Sequence, residues 1–390
     1  MAVYLIATLD TKGTEAEFLR KRLAELGLTV ETVDASCSAR SGDRGEAVTA
    51  AAAEAARRVK EAFDDGNVDG VIAIGGSAGT TIGTAAMRAL PIGVPKLMVS
   101  TLASGQVRPW VGDKDILMLN SVVDIAGVNR ISRIVLSEAA AAMMGLVRFR
   151  SDESNPKSKI QSLKSGRPLI AATMFGVTTP CVQQARKVLE AAGYEVIVFH
   201  ATGNGGQAME SLIREGMFAG VLDITTTELA DGLVGGILSA GPTRLTAAAE
   251  MGIPQVVSVG ALDMVNFGPR ETVPGKFAGR KFHVHNASVT LMRTTAAENE
   301  KLGQEICHKL AAAAGPVTIL LPLHGVSAID GEGQPFDDAK AREALYNVIR
   351  ANKPANVELM KIDSHINDEA FATAAASKLL ELIAKSAPAM

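Results

Sequence analysis

Residues 70–84, Gly-Val-Ile-Ala-Ile-Gly-Gly-Ser-Ala-Gly-Thr-Thr-Ile-Gly-Thr, decide the fold class. Val71 to Ile74 are apolar and mostly β-branched, as in a strand buried on both faces of a parallel sheet. Gly75, Gly76, Ser77, Ala78 and Gly79 then remove almost all side-chain bulk, and Thr80 or Thr81 is placed to cap a following helix. Such a turn has two readings. It lets backbone N–H groups approach an anion, which the helix dipole also favours; or it is simply a tight strand-to-helix turn. The Walker pattern does not fit, because it needs a Lys before its Ser/Thr and Gly79-Thr80 has none.

Working outward, residues 3–7 read as a first strand. Thr14 with Glu17 then fits a capping box, and Phe18, Leu19, Leu23 and Leu26 keep helical spacing. Strands at 29–33, 96–100 and 116–119 alternate with helices at 46–63, through Met87, and from about 129 to 147. That alternation implies right-handed crossovers and a parallel sheet. Residues 151–167 are polar with poor periodicity and read as a linker between units 1–150 and 168–390. The second unit repeats landmarks of the first in order. Leu169-Ile170-Ala171-Ala172 answers Leu5-Ile6-Ala7-Thr8, Phe218-Ala219-Gly220-Val221 answers Val68-Asp69-Gly70-Val71, and Gly252-Ile253-Pro254 answers Gly93-Val94-Pro95. Where the first unit has its glycines, the second has Asp223-Ile224-Thr225-Thr226-Thr227, and residues 260–286 read as an irregular addition. The expected fold is α/β, with two doubly wound, Rossmann-like parallel-sheet domains in tandem and a cleft between them.

Composition narrows the function classes. With 47% hydrophobic and 21% charged residues and a net charge of −3, nothing draws the chain to nucleic acid or acidic membranes. Three scattered cysteines, Cys37, Cys181 and Cys307, lack metal or redox spacing and suit a reducing compartment. The expectation is a cytoplasmic protein without signal peptide or membrane span.

In an open parallel sheet, ligands bind beyond the carboxyl ends of the strands. Residues following the first unit's strands are Thr8, Asp10, Thr11, Lys12, Ser36, Gly75, Gly76, Ser77, Gly79, Thr80, Thr81, Thr101, Ser104, Gly105, Asn120 and Asp124. Together they supply N–H donors, hydroxyls, an ammonium and two carboxylates. Phosphates would use the donors and Lys12, and Mg²⁺ would use Asp10 or Asp124 through water. Taken singly, each also serves as a cap or turn residue.

Ile6-Ala7-Thr8-Leu9-Asp10-Thr11-Lys12, Gly75-Gly76-Ser77-Ala78-Gly79-Thr80, Leu90-Pro91-Ile92-Gly93-Val94-Pro95, Ser100-Thr101-Leu102-Ala103-Ser104-Gly105-Gln106 and Ser121-Val122-Val123-Asp124-Ile125 occur together. As a set they resemble the ATP-binding region of the plant tomato mosaic virus resistance proteins and their bacterial relatives of unassigned activity. The resemblance extends over nearly the whole chain and implies ATP in the first unit at these turns. The plant proteins continue into a barrel domain resembling phosphoenolpyruvate-utilising hydrolases, so the resemblance also implies a separate partner of that type.

The second unit holds all six histidines. Gly203-Asn204-Gly205-Gly206 is a second anion site or only a turn. His283 and His285, alternating on an extended segment, point one way and could ligate a metal with Asp263, His324 or Asp223, or be ordinary hydrogen-bonded histidines. His283, His285, Asp263 and His324 are the candidate acid, base or metal groups. Arg270, Arg280 and Arg293 could clamp a carboxylate or phosphate. Cys181 follows a good helix start, Thr179-Pro180, but no base accompanies it.

The expected function is ATP binding with phosphoryl transfer or hydrolysis acting on a small anionic metabolite. The alternatives are a non-catalytic nucleotide-dependent module, or a metal-dependent hydrolase or isomerase with a regulatory nucleotide site. A homodimer is the expected assembly.

Overall fold

Apolar, β-branched strands followed by amphipathic helices build two units, Met1–Ser165 and Gly166–Met390. The computed structural model describes residues 1–37, 44–151 and 166–386; apart from its ends, the expected linker at 151–167 lies outside the described residues.

The first unit runs β1 (Ala2–Ala7), α1 (Leu9–Glu25), β2 (Val30–Asp34), α2 (Arg44–Asp64), β3 (Val68–Gly75), α3 (Ser77–Arg88), β4 (Lys96–Ser100), α4 (Arg108–Val111), β5 (Leu117–Asn120) and α5 (Arg130–Ser151). Its strands form one parallel sheet in the order β2-β1-β3-β4-β5. The period of two in β3 sends Ile72 and Ile74 to a core with Leu19 and Met143 of α1 and α5. Val71 and Ala73 go to another core, with Val59, Ile82 and Met87 of α2 and α3. Helices therefore cover both faces, and the strand order reverses between β1 and β3. That reversal is where doubly wound sheets of this order open a ligand crevice.

Two helix starts differ from the sequence reading. Thr14 is inside α1 rather than at its cap: the helix begins at Leu9, and Lys12 is a kink within it at φ −127°, ψ 18°. Neither Thr80 nor Thr81 caps α3, which starts at Ser77 with Gly76 as its N-cap.

The second unit runs β6 (Leu169–Met174), α6 (Thr179–Ala191), β7 (Glu195–His200), α7 (Asn204–Arg214), β8 (Gly220–Thr225), α8 (Thr227–Val234), α9 (Ala247–Glu250), β9 (Gln255–Gly260), β10 (Met264–Phe267), β11 (Phe282–Asn286), β12 (Val289–Arg293), α10 (Ala296–Ala311), β13 (Val317–Pro322), α11 (Ala339–Asn352), β14 (Val357–Ile362) and α12 (Glu369–Ser386). The parallel sheet orders β7-β6-β8-β9-β13-β14. Its first four strands thus repeat the topology of β1 to β4. The addition after β9 is more regular than the sequence suggested: β10, β12 and β11 form a small antiparallel sheet in that order. Cys181 is fully buried in the core under α6 and α12, and burial pushes its thiol up to about 12, so it is no thiolate at neutral pH.

Candidate functional site

The first unit opens a cavity of about 470 Å³ at the β1/β3 reversal. Thr8, Asp10, Thr11 and Lys12 line it from the start of α1. Gly76, Ser77 and Gly79 line it from the start of α3, and Arg44 from the start of α2. Ser77, Ala78 and Gly79 lie in the first turn of α3, where N–H groups lack intrahelical partners, and Gly76 offers no side-chain cap. Positive groups, Lys12 and Arg44, outnumber the single carboxylate, Asp10. The arrangement suits an anion.

The glycines of the turn separate into two kinds. A Cβ at Gly75 would sit 2.6 Å from Gly79 Cα, one at Gly79 3.0 Å from the Ile74 carbonyl oxygen, and one at Gly83 2.5 Å from Ala73 Cβ. These three let α3 lie close on its own strand. Gly76 is different: a Cβ there meets nothing nearer than Thr101 Oγ1 at 3.7 Å, and its φ of −78° asks for no glycine. Tight packing explains Gly75 and Gly79 but not Gly76.

The remaining nucleotide candidates are placed as follows. Thr80 is buried, its hydroxyl bonded to the Gly76 carbonyl at 2.7 Å and Ser100 Oγ at 2.7 Å, so it braces β4 rather than lining the cavity. The Thr81 hydroxyl donates to the Ser77 carbonyl at 3.0 Å. Thr8 and Thr11 hydroxyls bond each other at 2.9 Å, and Lys12 Nζ donates to the Ile125 carbonyl. Ser36 Oγ accepts from Asp10 N–H at 3.0 Å. Asn120 ends β5, and Thr101, Ser104, Gly105 and Asp124 follow β4 and β5 on the same carboxyl edge. Asn120 Oδ1 accepts from the N–H of Val122, an exposed β-branched residue at φ +64°.

Sequence reasoning missed Asp34 and Arg44. Asp34 Oδ1 accepts from Ser36 N–H at 2.9 Å, Ser36 Oγ at 2.5 Å and Leu9 N–H at 3.3 Å, tying β2 to the start of α1. Desolvation works against its ionisation, but these three donors outweigh it and hold the carboxyl below its usual range. An acidic residue closing the second strand was the available signal. Arg44 gave none, since it sits two residues before the helix start the sequence indicated.

At the corresponding reversal of the second unit, between β6 and β8, the crevice is filled from within. Thr173 Oγ1 donates to Asp223 Oδ1 at 2.7 Å, and Thr178 and Thr225 hydroxyls meet at 2.8 Å. Arg244, fully buried, grips Asp223 with both Nη atoms at 2.6 and 2.7 Å and Glu228 through Nε at 2.7 Å, with Glu210 at 3.3 Å. Glu228 Oε1 in turn accepts from Gly203 N–H at 2.7 Å and Gly206 N–H at 3.1 Å. The glycine turn before α7 is therefore an anion site, and its anion is a carboxylate of the chain itself. Desolvation raises the Glu228 carboxyl despite the pull of Arg244.

Three of the later candidates are neighbours: Arg280 Nη2 donates to the Arg293 carbonyl at 2.6 Å, and Arg293 Nη1 to the Asp263 carbonyl at 3.3 Å. On β11, the register shifts between Val284 and Asn286, which breaks the alternation expected to aim His283 and His285 the same way; His283 packs edge-on to Phe336 at 6.3 Å and His285 is exposed. Asp223 is held by Arg244. Asp263 is fully buried, with Oδ2 accepting from Ser327 Oγ at 2.8 Å and Oδ1 left without a partner. Desolvation and the neighbouring Asp330 raise its carboxyl. Arg280 forms a two-pronged pair with Glu298 at 2.9 and 2.6 Å, and Arg293 is buried against Asp330 at 3.1 Å and the Phe336 carbonyl at 2.8 Å. Arg270 stacks over the Phe282 ring at 3.9 Å. These guanidinium groups are engaged with the chain itself. Among the described residues, no three His, Cys, Asp or Glu side chains are grouped to hold a metal. His324 lies apart, bonded through Nε2 to Asp363 Oδ1 at 2.8 Å, on the wall of a second cavity of about 520 Å³.

Among the described residues, no helix is long and apolar enough to cross a membrane. Comparison with known proteins adds the following. Family models match residues 38–152 and 167–383, as the N-terminal and C-terminal domains of the uncharacterised protein family UPF0261. A UPF0261 protein of Clostridium tetani is 47% identical over 98% of this chain and 99% of its own length. Another, from Mesorhizobium japonicum, is 44% identical over 97% of this chain and 98% of its own. The tomato (Solanum lycopersicum) protein named ToMV resistance protein Tm-1(GCR237) is 47% identical over 83% of this chain, but the match spans only 43% of the tomato protein. A solved ABC domain in complex with L-Trp from Streptococcus pneumonia aligns over 93% of this chain and 89% of its own at 11% identity, with a TM-score of 0.21, which carries no functional argument. The chain belongs to the uncharacterised protein family UPF0261.

Proposed function

We propose that the first unit binds ATP with Mg²⁺ in the β1/β3 cavity, and that the protein uses it to transfer or cleave phosphate on a small metabolite. The observation that carries this reading is Gly76. It lines an anion-suited cavity, and neither its backbone conformation nor its packing calls for a glycine. What a side chain there would take away is the approach of a ligand to the first turn of α3. In this reading the N–H groups of Ser77, Ala78 and Gly79 and the cations Lys12 and Arg44 receive the phosphates, and Asp10 faces the metal. Lys12 exchanges the Ile125 carbonyl for phosphate oxygen when ATP enters. Arg280 and Arg293, turned inward on Glu298 and Asp330, no longer argue that the metabolite is anionic.

The test is thermal stabilisation by ATP and Mg²⁺. Wild-type protein is expected to gain stability, and Gly76→Val to fold normally and lose that gain. Stabilisation unchanged in Gly76→Val would remove ATP from this cavity. Release of ADP or phosphate on incubation with a metabolite pool separates turnover from a module that only binds.

A further inference from the structure

The second cavity lies at the carboxyl ends of β13 and β14, and its chemistry differs from that of the first. Its ionised lining groups are one cation, Arg342, and two carboxylates, Glu332 and Asp337. A polyphosphate would meet net negative charge here. The polar groups are instead a balanced set of donors and acceptors. Arg342 Nη1 is spent on Asp330 Oδ1 at 2.9 Å and Asp337 Oδ1 at 3.0 Å, while Nη2, bonded to Asp337 Oδ1 at 3.0 Å, keeps a second hydrogen.

Hydrogen bonds orient the rings of both histidines. His365 Nδ1 accepts from Asn367 N–H at 3.1 Å, so the ring proton is on Nε2, which donates to the Ser327 carbonyl at 2.9 Å. That ring is a fixed neutral wall, held in place by Gly325. At φ +136°, a Cβ on Gly325 would strike the Asp330 carbonyl at 2.1 Å and the His365 ring at 2.7 Å. His324 Nε2 bonds Asp363 Oδ1 at 2.8 Å, so in the neutral ring Nδ1 is the nitrogen left to accept on this cavity-lining residue. The His324–Asp363 pair is exposed, so it adds little to folding. Its consequence is to fix which nitrogen of His324 accepts.

A cavity of about 520 Å³ has the volume of a small-molecule site. Neighbouring donors and acceptors without net positive charge match groups that donate and accept at once. We infer that this cavity of the second unit binds a small, uncharged, hydroxyl-rich molecule of the polyol or sugar class, with His324 Nδ1 accepting from one hydroxyl and Asp363 positioning the ring. The inference stands on the second unit alone and does not depend on the nucleotide reading.

Nitrogen-15 NMR of the full chain labelled at histidine tests it, with His324→Gln to assign the signal and glycerol, D-glucose and myo-inositol as probes. At least one probe is expected to move the His324 Nδ1 and His365 signals, with Ala339→Trp, at the cavity mouth, abolishing the response. Asp363→Asn is expected to shift His324 to a mixture of ring tautomers and weaken the response, without changing the circular dichroism spectrum. No movement with any of the three probes, or movement only with acetate or inorganic phosphate, would overturn the assignment. An unchanged His324 tautomer in Asp363→Asn would overturn the positioning role.

Discussion

Burial decides the chemistry of Asp231. Its Oδ1 accepts from Asn266 N–H at 3.0 Å and its Oδ2 from Asn266 Nδ2 at 2.7 Å, yet loss of water outweighs these bonds and pushes the carboxyl up to about 7. A carboxyl raised in the folded state binds a proton that the unfolded chain, titrating at about 4, has already lost. Its contribution is thus fully present below about pH 4 and is lost as the pH rises towards 7. Asp231→Asn removes that dependence, and the unpartnered Asn266 Oδ1 beside it can receive the new amide after a flip. The melting temperature of the variant relative to wild type is expected to rise between pH 5 and pH 8; a constant difference would refute this. Arg244 is the opposite case, a buried cation answering three carboxylates. Arg244→Met strands all three and should cost about 3–5 kcal/mol, read as a lower urea midpoint. None of Arg244's partners was legible in the sequence. They stand 16 to 34 residues away and meet only when β8, α7 and α8 assemble.

Among the elements, α3 shows how far a local pattern carries. The strand and the glycine turn were readable because an apolar β-branched run and a loss of side-chain bulk are local signals. The sequence could not say which glycine serves packing, since that depends on the distance from α3 to β3. Gly83→Val should cost about 1–3 kcal/mol, because its Cβ would meet Ala73 at 2.5 Å, whereas Gly76→Val should leave the denaturation midpoint almost unmoved. Equal losses in the two variants would contradict the division drawn here. The antiparallel sheet after β9 escaped the sequence reading for a physical reason. Its strands are four or five residues long, two short 3₁₀ turns separate the first pair, and a register shift interrupts alternation in β11. The α10 start was not singled out either, although Thr295 and Glu298 form a reciprocal cap there. Thr295→Ala is expected to lower stability by about 1 kcal/mol in denaturant titration.

At the scale of the whole chain, the repeated landmarks were legible because both units build the same first four strands in the same order. The replacement of glycines by Thr225-Thr226-Thr227 already indicated that the two crevices differ. The structure adds the reason, a guanidinium and a carboxylate filling the second. Titration calorimetry with ATP should accordingly find one site per chain, and two equivalent sites would contradict the filled crevice. Glu228 also has a consequence as a tethered counter-ion. A carboxylate delivered by the backbone is always at hand, so free anions in solution cannot compete for Gly203 and Gly206. Shortening it to Glu228→Ala leaves a vacancy shaped for a carboxylate, bordered by the two N–H groups and Arg244 Nε. Formate or acetate from the buffer should then act as a prosthetic side chain, raising the melting temperature of the variant in proportion to its occupancy and leaving wild type untouched.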